Sequence, residues 1–124
     1  MRRWLVIVGL GIALAGCVTP SIPIPPPEPA LMTFEVTDVA ASTATFAYPP
    51  NQTYEDAIVF LYNRDLAEGI ITQARPDGSV GPTKPLAARL GDQVVVTFQL
   101  DEQTVSTCIR LRNGPQDPNV YCGP

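Results

Sequence analysis

The sequence predicts an all-β domain, built as a small antiparallel sandwich of about seven strands. Short runs rich in Val, Ile, Thr, Phe and Tyr recur after residue 30. Clusters of Gly, Pro, Asn and Asp separate these runs, roughly every 8 to 12 residues, as the turns of a sandwich do. Several runs alternate apolar and polar side chains, and helical periodicity is absent after Ala30, apart from room for one turn at 65–68.

The first two strands are short. Phe34 and Val36 flank Glu35, so these two apolar side chains share a face of the strand 33–36. In the run 43–48 (TATFAY), the alternation places an alanine, a phenylalanine and a tyrosine together. Two prolines follow directly, and they end the strand because proline cannot donate a ladder hydrogen bond.

The third run, 57–62 (AIVFLY), is apolar on both faces. This pattern is typical of a central strand covered on both sides, or of a strand that faces a partner. One face carries Ile58, Phe60 and Tyr62, which form a candidate interaction face. The other face carries Ala57, Val59 and Leu61, which would form the interaction face if that side of the strand were the exposed one.

The remaining strands complete the pattern. Runs at 69–74 and 85–90 alternate less regularly, whereas 93–100 (QVVVTFQL) and 104–112 alternate throughout. Turn chemistry separates these runs: Pro-Asp-Gly-Ser at 76–79, Leu-Gly-Asp at 90–92 and Arg-Asn-Gly-Pro at 112–115. We expect Gly78 and Gly91 to adopt a positive φ.

The stretch DGSVGPTKPLAARLGDQVVVTF resembles the second half of bacterial immunoglobulin-like modules. In those modules an Asp-Gly-Ser turn, a short strand, a Gly-Asp turn and an alternating strand follow one another. The resemblance spans about residues 68–112 and implies an immunoglobulin-like sandwich over 31–124. The chain has no Trp after Trp4, and its cysteine spacing does not fit the inter-sheet bridge of antibody domains.

Residues 1–16 have the pattern of a secretory signal peptide: Arg2 and Arg3, an apolar middle and small residues at its end. Even carried on to Val18, the uncharged run that begins at Trp4 spans only about 22 Å as a helix, short of the roughly 30 Å of a bilayer core. A helix of the folded domain is also disfavoured, because the run is apolar on every side.

The signal ends in Leu14-Ala15-Gly16-Cys17, which resembles the lipobox of bacterial lipoproteins. That resemblance implies cleavage before Cys17, a diacylglycerol on its thiol and a further acyl chain on the new N-terminus. Two or three acyl chains make a stable membrane anchor. Val18 stands where an inner-membrane retention signal has Asp, so the resemblance implies a cell-envelope protein in the outer rather than the inner membrane. The alternative is a chance cysteine after an ordinary signal.

Residues 17–30 form a linker, with six prolines among the 13 residues of VTPSIPIPPPEPA. Proline fixes φ and donates no hydrogen bond, so the segment is predicted to be an extended polyproline II spacer of roughly 40 Å. We expect it to make few contacts with the domain. The alternative is a proline-rich ligand for the groove of a partner.

Charge and composition exclude several function classes. Without the signal peptide the chain has six basic and twelve acidic side chains, a net charge of about −6. Only Arg110 and Arg112 lie close together, which argues against nucleic acid as a partner. The chain has no histidine, so a His-based triad or zinc site is excluded. No cofactor is expected.

The acidic residues support only alternative functions. Glu55-Asp56 and Asp101-Glu102 are carboxylate pairs of the kind glycosidases use, but each is predicted at a strand edge or turn. With Asp117 and Asn119 they could gather a calcium ion, although no EF-hand spacing is present, and no metal site is predicted. We therefore expect a non-enzymatic structural or protein-interaction module with a protein partner in the envelope. The alternative is a carbohydrate-binding or small hydrolytic domain that uses the acidic loops.

The chain contains three cysteines. Lipidation of Cys17 leaves Cys108 and Cys122, which export places in an oxidising compartment where thiols pair. The reversals at 113–115 and 117–119 can return the chain to the last long strand. The alternation places Cys108 on the face of the strand opposite to Ile109 and Leu111. We therefore expect the disulfide on the outer face or edge of a sheet. The alternative is two unpaired thiols.

Overall fold

The computed structural model describes residues 23–37, 42–120 and Cys122 of the chain. Within these residues two antiparallel four-stranded sheets pack as a sandwich, with two short 3₁₀ turns at Pro29–Leu31 and Gln52–Tyr54. The all-β prediction is confirmed. The strands are β1 (Thr33–Thr37), β2 (Thr43–Ala47), β3 (Ile58–Asn63), β4 (Glu68–Gln73), β5 (Leu86–Ala87), β6 (Gln93–Leu100), β7 (Gln103–Arg110) and β8 (Gly114–Pro115).

The first sheet has the order β5-β2-β1-β8 and the second the order β4-β3-β6-β7. The chain crosses between the sheets after β2, β4, β5 and β7, and β3 lies beside β6. This connectivity is that of an immunoglobulin-like sandwich. The described residues form eight strands rather than about seven, because Gly114 and Pro115 pair with Phe34 and Thr33 of β1. A two-residue strand has no periodicity from which to predict it.

The core lies between the two sheets. Phe34 and Phe46 of the first sheet meet inward side chains of the second, and these core residues are at most 1% exposed: Val59 and Leu61 of β3 and Val94, Val96 and Phe98 of β6. Leu100, at the end of β6, is partly buried. The rings of Phe34 and Phe46 lie 5.0 Å apart, and those of Tyr54 and Phe98 lie 4.4 Å apart. Each such side chain contributes roughly 1.5–3 kcal/mol through burial. The turn glycines behave as predicted, with φ of +82° at Gly78 and +90° at Gly91.

Residues 23–28, here called the proline strap, pack along the β7 side of the sandwich. The prediction that the linker makes few contacts is therefore wrong for this part of it, while residues 17–22 lie outside the described residues. Proline carbonyls still accept hydrogen bonds, and hydroxyl groups at the edge of the core reach them. Pro27 is buried. The bonds are Tyr54 Oη to the Pro25 carbonyl (2.6 Å), Thr107 Oγ1 to the Pro27 carbonyl (2.7 Å), Glu28 N to Tyr48 Oη (3.2 Å) and Ile24 N to Gln103 Oε1 (2.8 Å).

Cys108 and Cys122 form a disulfide, as predicted, with their Cα atoms 5.1 Å apart. Cys108 lies opposite Val95, on the side of the second sheet that faces away from the first. The amide of Cys122 donates to the Cys108 carbonyl at 3.1 Å, so the C-terminal segment is fixed beside the edge strand β7. The expected position, outside the space between the sheets, is confirmed.

Candidate interaction surface

The outer face of the second sheet is an uncharged surface. Three side chains of β3, three of β4 and four each of β6 and β7 point away from the core, as the strand register and the alternation show. Gln93 and Arg110 end this surface, and the other twelve positions form its middle. None of the twelve is Asp, Glu, Lys or Arg. These positions, hereafter the outer face, are Gly69, Ile71 and Gln73 of β4, Ile58, Phe60 and Tyr62 of β3, Val95, Thr97 and Gln99 of β6, and Thr104, Ser106 and Cys108 of β7.

The apolar part of the outer face lies on β3 and β4. Ile71 is 64% exposed, Tyr62 45% and Ile58 41%, and Phe60 is partly exposed between them. Tyr62 pairs with Gly69, and a Cβ on that glycine would lie 3.3 Å from the tyrosine ring. The missing side chain therefore leaves room for Tyr62 to extend across the neighbouring strand.

The structure decides which face of β3 is exposed. Ile58, Phe60 and Tyr62 lie on the outer face, whereas the alternative set is buried in the core, with Val59 fully inaccessible and Leu61 1% exposed. Sequence reasoning missed Ile71 and Val95 as parts of the same surface. The alternation of β4 and β6 could have placed each residue on a face, but only the register between strands brings them beside Phe60 and Tyr62.

Charged residues lie at the two ends of the outer face. At one end Gln93 pairs with Arg110, and the amide of Arg64 donates to the Gln93 carbonyl at 2.8 Å. At the other end lie Asp56, just before β3, and the turn 101–102 that joins β6 to β7. Both ends carry charges of both signs. The Asp65 carboxylate accepts the amide of Gln93 at 2.7 Å beside Arg64 and Arg110. At the other end the amide of Asp56 donates to the Arg75 carbonyl at 3.2 Å.

The acidic pairs are exposed and occupy turns. Glu55-Asp56 and Asp101-Glu102 lie at the same end of the second sheet, since Ile58 pairs with Gln99. Two clefts, of about 480 and 380 Å³, contain none of these four acids in their walls. The larger cleft lies between the proline strap and the disulfide, and its walls include Val95, Ser106 and Cys108 of the outer face.

The calcium alternative is not supported by the fold. β7 runs for eight residues between the Asp101-Glu102 turn and the segment that holds Asp117, so these acids lie at opposite ends of the sheet. The Asp117 carboxylate accepts the amide of Asn119 at 2.8 Å and lies 4.0 Å from Arg112. Among the described residues no three His, Cys, Asp or Glu side chains are grouped to hold a metal ion.

The perturbed titrating groups are structural rather than part of the outer face. Burial raises the pKa of Tyr54 to about 12, and burial also raises the pKa of Tyr48. Both hydroxyls bond the proline strap. A hydrogen bond from the Ser79 hydroxyl, with a second from its amide, lowers the pKa of the Asp77 carboxyl in the Pro-Asp-Gly-Ser turn.

Comparison of the chain with models of protein families, with curated proteins and with solved structures found no match. Among the described residues, no helix is both long enough and apolar enough to cross a bilayer. The predicted signal peptide and the predicted lipidation site, Cys17, lie outside the described residues.

Proposed function

We propose that this chain is an exported lipoprotein, anchored in the outer membrane by acyl chains on Cys17. Its sandwich serves as a non-enzymatic structural or protein-interaction module in the cell envelope. The observation that carries the proposal is the outer face, with exposed Ile58, Tyr62 and Ile71 and no charged side chain among twelve.

The composition of the outer face supports a protein partner. The centres of protein interfaces are depleted in charged residues and enriched in aromatic ones, and charged groups lie at their rims. The outer face has this arrangement, with Phe60 and Tyr62 near its middle and Arg110 and Glu102 at opposite ends. Contiguous apolar patches on soluble domains are commonly binding sites.

The sequence of the first 17 residues supports the anchor. Leu14-Ala15-Gly16-Cys17 follows a basic start and an apolar run of signal-peptide length. Two or three acyl chains, at about 0.8 kcal/mol per buried methylene group, hold a protein stably in a bilayer. A membrane anchor also keeps the module close to other envelope proteins, which raises their effective concentration.

Capture from native membranes tests the interaction surface. The tagged, acylated protein is extracted in mild detergent, and its co-purifying proteins are compared with those of two variants. Ile71→Lys places a charge on the outer face. Leu90→Lys is the matched control, because Leu90 is 61% exposed and lies in the loop between β5 and β6.

We expect Ile71→Lys to lose a partner that the wild-type chain and Leu90→Lys both retain. Equal capture by all three proteins would mean that the outer face is not the interaction surface. The alternative function, a carbohydrate-binding or hydrolytic domain, would need the exposed acids to share a cleft. Their arrangement at separate turns does not favour it.

A further inference from the structure

We propose that the free edge of β4 pairs with β4 of a second copy of this chain, so that the second sheets of the two copies join into one antiparallel sheet. This inference goes beyond the proposed function, because it uses the edge of the sheet and leaves the outer face open to another protein. It follows from the backbone groups of β4, the symmetry of their spacing and the exposure of Ile71.

The outward edge of β4 presents backbone groups that have no partner in the part of the chain that the structure describes. The amide of Ala74 donates to the Ala57 carbonyl at 2.8 Å, just beyond the ladder of β3 and β4. Because successive residues of a strand point these groups in opposite directions, the amides and carbonyls of Gly69, Ile71 and Gln73 point away from β3. All three residues are exposed. The edge therefore offers three donors and three acceptors to a further strand.

The edges of the sandwich differ in how they are protected. The edge of β7 is covered by the C-terminal segment, whose Cys122 amide bonds the Cys108 carbonyl, and β5 and β8 are two residues long. By contrast, β4 pairs with β3 over six residues without a bulge, and its sequence EGIITQ contains neither lysine nor proline. A regular edge that lacks these protective features is a template for pairing with another chain.

The spacing of the free groups makes the β4 edge complementary to itself. A two-fold axis perpendicular to the sheet, placed beside Ile71, sets this residue opposite its own equivalent and sets Gly69 opposite Gln73. Each of these three pairs is of the hydrogen-bonded kind and exchanges two bonds, so the two strands share six backbone hydrogen bonds. An axis beside Ile70 or Thr72 would pair only two of the three residues, which selects the register centred on Ile71.

The side chains along this ladder are compatible with the same register. The two copies of Ile71, which is 64% exposed in one copy, lie directly opposite each other on the outer side of the joined sheet. Cross-strand pairs of apolar side chains stabilise antiparallel sheets, whereas like charges directly opposite each other destabilise them. Glu68, the one charged residue of β4, lies opposite Ala74 and not opposite its own equivalent.

The contact area is that of a weak association. One added strand buries less surface than the roughly 1,600 Å² of a standard interface. Anchoring both copies in one membrane raises their effective concentration, so a weak pairing suffices, and this point alone rests on the proposed function. The pairing also sets the two outer faces side by side, so that the apolar side chains of both copies form one continuous surface.

Cysteine cross-linking in membranes tests the pairing and its register. Full-length chains with one added cysteine are expressed, the membranes are treated with a mild oxidant, and the products are separated on a non-reducing gel. Ile71→Cys places two thiols on a pair whose Cα atoms lie about 5.5 Å apart, within the range of a disulfide. Gln73→Cys is the matched control, because position 73 is exposed on the same side. Its two equivalents lie roughly 13 Å apart along the strands, which is too far for a disulfide.

We expect a disulfide-linked dimer from Ile71→Cys, and only monomer from Gln73→Cys and from the unaltered chain. Absence of the dimer, or equal amounts from both cysteine variants, would overturn the pairing. A product that links Ile71→Cys to a protein of different mass would assign the edge to another partner and would also overturn it.

Ile71→Pro tests the backbone bonds themselves. Proline at this position removes an amide that points away from β3, so the ladder inside the sheet stays intact. Between two differently tagged full-length copies, Ile71→Pro should abolish co-capture, whereas Ile71→Val should retain it. Co-capture by a folded Ile71→Pro chain equal to that of Ile71→Val would contradict the pairing, and the cysteine variants decide the question if this chain does not fold. A chain that gives no Ile71→Cys dimer, yet loses an envelope protein through Ile71→Lys, would refute this inference and leave the proposed function intact.

Discussion

Replacing Tyr54 by phenylalanine should detach the proline strap at the Pro25 carbonyl. The Tyr54 hydroxyl donates to the Pro25 carbonyl at 2.6 Å, while its ring stays packed 4.4 Å from Phe98. The substitution keeps the ring and removes only the donor. An intramolecular hydrogen bond contributes about 1 kcal/mol net, and exposed Pro25 can turn its carbonyl to water, so we expect a loss of about 1 kcal/mol.

For a domain of this size that loss lowers Tm by about 4–8 °C, which circular dichroism can measure. Tyr62→Phe is the control, because the Tyr62 ring lies on the exposed outer face, and we expect a change within about 0.5 kcal/mol. In a chain that begins at Ala30 and lacks the strap, Tyr54→Phe should have no such effect. An equal loss with and without the strap, or no loss in the full chain, would refute the docked strap.

Four further predictions concern the anchored fold. Replacing both Cys108 and Cys122 by serine should destabilise the domain by about 3 kcal/mol in denaturant titrations, since the bridge closes a 14-residue separation; an unchanged midpoint would contradict this. The free energy of unfolding should fall as pH rises above about 10, because the pKa of Tyr54 is about 12 in the folded protein and exceeds the unfolded value. The stabilisation from the protonated hydroxyl is therefore fully present below pH 10 and is lost towards pH 12. Urea midpoints that stay constant from about pH 9 to 11.5 would argue against it. Gly78→Ala should destabilise more than Gly91→Ala, because both have positive φ but only the Cβ at position 78 would collide with the Asn51 carbonyl; equal melting temperatures would show that the collision is relieved. Cys17→Ser should leave an uncleaved or soluble protein, as membrane fractionation would show, and full membrane retention of a cleaved chain would contradict the anchor.

The sequence carried enough information for the sandwich and for the side of the disulfide. The alternation in 93–100 assigns Val94, Val96 and Phe98 to one face, and burial of that face is what the structure shows. The same alternation places Cys108 and Ile109 on opposite faces of β7, so Cys108 lies outside the core. Period-two patterns are reliable here because one face of each strand is buried against the other sheet.

Other features could not be predicted because they depend on contacts between distant segments. The strap is held by single hydroxyl-to-carbonyl bonds from Tyr54 and Thr107, and such bonds leave no periodic pattern in either partner. The run 57–62 is apolar on both faces, so only its pairing with β6 decides that Val59 is buried. The outer face likewise exists only once β4 and β6 take their places beside β3.

Mass spectrometry of the protein purified from membranes tests whether the sandwich is lipid-anchored, because anchoring and the presentation of the outer face both depend on Cys17. We expect a mature chain that begins at Cys17 and carries the added mass of two or three acyl chains. An N-terminus at any other residue, without lipid mass, would contradict it.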